Sequence, residues 1–67
     1  MTHLLAGISF EVLSPSVFRC ELVPSIVIAY DGLGWILTDG QHENRFLSRN
    51  AAIDFLAEKF RLAMFYK

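Results

Sequence analysis

Ser25–Leu47, SIVIAYDGLGWILTDGQHENRFL, sets two Asp-Gly pairs between three runs of strand-forming residues, and the fold turns on how those pairs are read. Asp-Gly supplies the residues that a tight hairpin needs at positive φ. The run Ser25 to Tyr30 is apolar on both faces, as a central strand should be. A two-residue turn at Asp31-Gly32 sets Tyr30 opposite Leu33, Ile28 opposite Trp35 and Ile26 opposite Leu37. Moving Leu33 and Gly34 into the loop shifts the register by two. The faces do not change, because side chains alternate with period two. Ile26, Ile28, Tyr30, Trp35 and Leu37 therefore share a face under either turn. Pairing Thr38 with Gln41 across Asp39-Gly40 adds Phe46, His42 and Asn44 to it. The other face takes Ser25, Val27, Ala29, Ile36, Glu43, Arg45 and Leu47. The first face is bulky and apolar, the natural seat for a helix.

That helix follows at once. Ser48 is a good N-cap, and no helix breaker interrupts the run from Arg49 to Lys67. At helical spacing Ala52, Ile53, Leu56, Ala57, Phe60, Ala63 and Met64 fill one arc, which is the core face. Phe55, Leu62 and Tyr66 form a second apolar stripe. A surface helix on a monomer does not need one.

Upstream, Met1 to Gly7 shows no period and reads as a loose end. Ile8, Phe10 and Val12 alternate with Ser9, Glu11 and Leu13, a half-buried strand. Ser14-Pro15-Ser16 is a turn signal. Phe18, Cys20 and Leu22 then alternate with Val17, Arg19, Glu21 and Val23 until Pro24, which belongs at a strand end. The expected architecture is an α+β fold. It is an antiparallel β-meander of four to five strands (about 8–13, 17–23, 25–30, 33–38 and 42–47) packed by one C-terminal helix (about 49–65), with residues 1–67 forming a single domain.

A chain of 67 residues buries only about 60% of its unfolded surface, so its stability is marginal unless something adds to the core. Cys20 is the only cysteine, so no disulfide can help. An apolar fraction of 54% exceeds the usual 45–50% or so, and the excess has a natural destination in a partner surface. The single thiol fits a reducing compartment. The N-terminus lacks the basic residues and apolar run of a signal peptide, and no stretch is long enough to span a membrane. The expected location is the cytoplasm. A net charge of −1 argues against a protein whose main task is gripping phosphate backbone.

Residues with possible chemistry are few. His42, beside Glu43 and near Arg45, has the residue types of a general acid–base site acting on phosphate, but a polar residue at an exposed turn is the ordinary reading. Cys20 alternates with Phe18 and Leu22 and reads as a small core residue rather than a nucleophile. Trp35 alternates with Leu33 and Leu37 and reads as core. Asp31 and Asp39 are turn formers, without calcium-loop spacing, and Gly32 and Gly34 do not precede a helix. No catalytic, cofactor-binding or metal-binding residue is assigned.

The run WILTDG, then a polar strand, then FLSRNAAIDFLA resembles the strand–strand–helix end of double-stranded-RNA-binding domains, with a Ser at the helix start and an Ala pair inside. It lacks their Lys-rich helix start, the part that contacts phosphate. It also resembles the hairpin and Ala-rich helix of antitoxin partners of small mRNA interferases, without their glycine and acidic helix start. Both likenesses are in the order of elements over less than half the chain, and neither assigns a family.

The expected function is protein–protein contact without catalysis, by a homodimeric regulator or accessory factor of the compact kind that phages and plasmids carry. That last expectation rests on size alone. The expected interface residues are Phe55, Leu62 and Tyr66 on the helix, with Val27 and Ile36 on the sheet. The alternative is a nucleic-acid-binding module using Arg19, Arg45 and Arg49.

Overall fold

In a computed structural model that describes residues 2–65, the strands form one antiparallel sheet in strict chain order. They are β1 (Thr2–Leu5), β2 (Ile8–Ser14), β3 (Val17–Cys20), β4 (Ile26–Tyr30), β5 (Trp35–Asp39) and β6 (His42–Phe46). The helix α1 (Arg49–Phe65) lies across one face. The α+β meander with a C-terminal helix is as expected, but the sheet has six strands rather than four to five.

The additional strand is β1, in the segment that shows no period in the sequence. It pairs Thr2 with Glu11, His3 with Phe10, Leu4 with Ser9 and Leu5 with Ile8. The two residues left over, Ala6 and Gly7, both take positive φ, 52° and 79°. That is the backbone of a type I′ hairpin turn. Alanine rarely adopts it, so the turn has no signature in the residue types.

Both Asp-Gly hairpins form, each with its register moved by two from the tight-turn pairing. Tyr30 pairs with Trp35, so Asp31 to Gly34 make the loop. Asp39 pairs with His42, and Trp35 with Phe46, so Gly40-Gln41 make the second turn. The face assignments survive, as a shift of two must leave them. β3 stops at Cys20 rather than residue 23, and β5 starts at Trp35 rather than residue 33. β2 carries a bulge between Val12 and Ser14, which leaves Leu13 out of the ladder.

The helix-facing side holds the core. Phe10, Cys20, Ile28, Leu37 and Leu56 are fully buried, with Ile8, Phe18, Ile26, Ala52 and Ile53 around them. Full burial of each large side chain stabilises the fold by roughly 1.5–3 kcal/mol. No polar or charged residue is buried among those described. Ser48 caps the helix as expected: its Oγ accepts the Ala51 N–H at 3.1 Å. Ala57 and Phe60 pack against the core from the helix. Ala63 is exposed, so helix packing stops before it. The side chain of Met64 lies outside the described part.

Candidate functional site

The sheet has a second face that no element among the described residues covers. Cross-strand partners share a face, so the ladder defines it directly. One row runs Glu11, Arg19, Val27, Thr38, Glu43 across β2 to β6. The adjacent row runs Val17, Ala29, Ile36, Arg45 across β3 to β6. Val17, Val27, Ala29 and Ile36 thus form a continuous apolar centre, bounded by charge on both sides. Each is half-buried by its sheet neighbours alone. A charged pair closes one margin: Arg19 Nε and Nη2 both donate to Glu11 Oε1, at 3.3 and 3.0 Å. At the other margin Arg45 reaches out of the face to Asp31 in the β4–β5 loop, Nη1 to Oδ2 2.6 Å. Glu43 has no ion-pair partner among the described residues.

The expected interface residues do not share one surface. Val27 and Ile36 lie on the open sheet face, while Phe55 and Leu62 lie on the helix on the other side of the sheet. Phe55 is 36% exposed but not free: its ring sits 5.2 Å from that of Phe46, and Lys59 Nζ stands 5.5 Å over it. It seals the core along β6. Leu62 is 43% exposed. Tyr66 lies outside the described residues.

The three arginines of the nucleic-acid alternative are also dispersed. Arg19 and Arg45 lie on the open face, on strands separated by β4 and β5, and each is paired with a carboxylate. Arg49 lies on the helix side, 5.3 Å over the ring of Phe18. Their placement on three separate carboxylate or aromatic partners, on two sides of the sheet, does not bring these three arginines into one cationic stripe.

Residues with possible chemistry are likewise separated. His42 opposes Asp39, whereas Arg45, an odd number of positions on, points to the opposite face. Cys20 is a free thiol with no exposed surface. Trp35 packs on Tyr30 and Phe18, at ring separations of 5.3 and 6.2 Å. No group of three or more His, Cys, Asp or Glu side chains among the described residues could hold a metal ion. No helix of the structure is long and apolar enough to cross a membrane.

An open cleft of about 630 Å³ lies between the C-terminal half of α1 and the β1–β2 turn. Ile8, Leu22, Ala57 and Phe60 give it an apolar lining, and Glu21 and Arg61 are its charged residues. Both are occupied: Glu21 accepts the Thr2 hydroxyl at 3.1 Å, and Arg61 pairs with Glu58. The sequence gives no sign of this cleft, because one wall is the β1 hairpin and that hairpin has no turn signature.

No family model, no curated protein and no solved structure matches this chain.

Proposed function

We propose that this chain works by protein–protein contact without catalysis, as a homodimeric regulator or accessory factor. The observation that carries the reading is the uncovered apolar centre of the sheet, Val17, Val27, Ala29 and Ile36. Apolar surface of this kind is uncommon at the middle of a small monomer's sheet unless something covers it. A 67-residue chain with no disulfide also gains stability from a partner more than a larger domain would. The helix stripe contributes less than its sequence implies, since Phe55 is engaged with Phe46 and Lys59.

Sedimentation equilibrium at micromolar concentrations tests this. The expected mass is twice that of the chain. Ile36→Lys should give a monomer with its helical circular dichroism intact, and Leu62→Asp should leave the dimer in place. Wild type that stays monomeric throughout would remove the proposal.

A further inference from the structure

We infer that the partner on the open sheet face is a second copy of this chain. It is related by a two-fold axis lying between the sheets, parallel to the strands and centred between β4 and β5. The inference rests on the proposed homodimer and goes further by fixing its geometry. It starts from the edges of the sheet. β6 presents His42, Glu43, Asn44 and Arg45, all exposed, along its outer edge, and β1 is only four residues long. Charged and short edges resist edge-to-edge pairing, so a second copy must use the face.

The register of the ladder then decides how. A two-fold axis along the strands keeps each row and reverses the order of strands across it. Ala29 then faces Ile36 of the second copy, and Val27 faces Thr38. Arg19 on β3 faces Glu43 on β6, because the two share a row at equal distances from the centre. Ala29 and Ile36 thus meet across the axis and Arg19 meets the opposite charge of Glu43, while Val17 lies opposite Arg45. An axis across the strands would instead pair Glu43 with Arg45. The Arg45 guanidinium is drawn off the face to Asp31, at 2.6 Å, and is poorly placed for that contact. Arg19 stays on the face, since its partner Glu11 lies in the same row. Glu43 has no ion-pair partner within its own copy among the described residues. Aligned packing of two sheets needs their strands within about 30° of each other, which this axis satisfies.

The footprint is small. Strands about 4.8 Å apart, with residues rising about 3.3 Å each, make the overlap of β3 to β6 about 19 by 17 Å. That is below the standard interface size, so dissociation no tighter than the micromolar range is expected.

Charge exchange tests the geometry. Arg19→Glu and Glu43→Arg should each weaken the dimer at least about tenfold in sedimentation equilibrium, because each sets like charges opposite one another twice. The double variant R19E/E43R should return to within a few-fold of wild type, as should an equimolar mixture of the two single variants. If loss of the Glu11 pair keeps R19E from folding, Arg19→Met keeps the apolar stem over the sheet and should relieve the defect of E43R. A dimer indifferent to both single exchanges overturns the geometry while leaving the homodimer standing. Rescue of E43R by Arg45→Glu, and not by a change at Arg19, overturns the axis. A monomeric wild type overturns the geometry and the homodimer together.

Discussion

Asp31 does more than form a turn. Its Oδ1 accepts the N–H groups of Leu33 and Gly34, each at 2.9 Å, and its Oδ2 holds Arg45. The Leu33 amide, then the Arg45 guanidinium, then the Gly34 amide hold its carboxyl below the ordinary value of 3.8. All three favour the charged form, so the folded chain takes up this proton less readily than the unfolded one. The contribution to stability is complete above 3.8 and is lost as pH falls through the lower folded value. Urea midpoints followed from neutral pH into that range should fall more steeply for wild type than for Asp31→Asn, which keeps the amide acceptor and removes the charge. The same loop is closed by Gly34. A Cβ there would stand 2.8 Å from the backbone oxygen of Phe46. Gly34→Ala must therefore push β5 from β6, and should cost about 1–3 kcal/mol in denaturant unfolding. The loop fixes Leu33 in a position that is 87% exposed.

The β1 hairpin is the element where local cost is most visible. Ala6 sits at φ 52°, a conformation that glycine adopts without penalty and alanine does not. Ala6→Gly should stabilise the chain by about 0.5–1 kcal/mol, read as a raised urea midpoint, with slower hydrogen exchange along β1. This position also shows what the residues could and could not reveal. Parity alone placed Ile26, Ile28 and Leu37 with the helix, and Val27 and Ile36 away from it, because a shift of two cannot alter a face. The helix was legible from its cap to its packed arc, since Ser48, Ala52, Ile53 and Leu56 each act locally. The first strand was not legible, because its turn depends on an alanine in an unusual backbone region. The split of the expected interface follows from the same parity, since Val27 and Ile36 fall on the face away from the helix that carries Phe55 and Leu62. The role of Phe55 was not legible, because its partner Phe46 is a tertiary neighbour.

At the scale of the whole molecule, one apolar layer carries the stability. Phe10 has no exposed surface and lies on β2, under the same layer that Leu56 reaches from α1. Phe10→Ala should cost about 3–5 kcal/mol. A domain of this size has only roughly 3–10 kcal/mol in total. The variant should therefore be largely unfolded at room temperature by circular dichroism. The strict β1-to-β6 order has a kinetic side as well. Every strand finds its partner immediately next to it along the chain, across a short connection, so closing each pair costs little loop entropy. The sheet can grow hairpin by hairpin as the chain is synthesised. Its helix-facing side stays bare until α1 is made, because α1 follows all six strands in the chain. What remains is the docking of a single helix onto a surface already assembled. Until that event, the nascent sheet offers the apolar face of Phe10 and Ile28 to anything nearby.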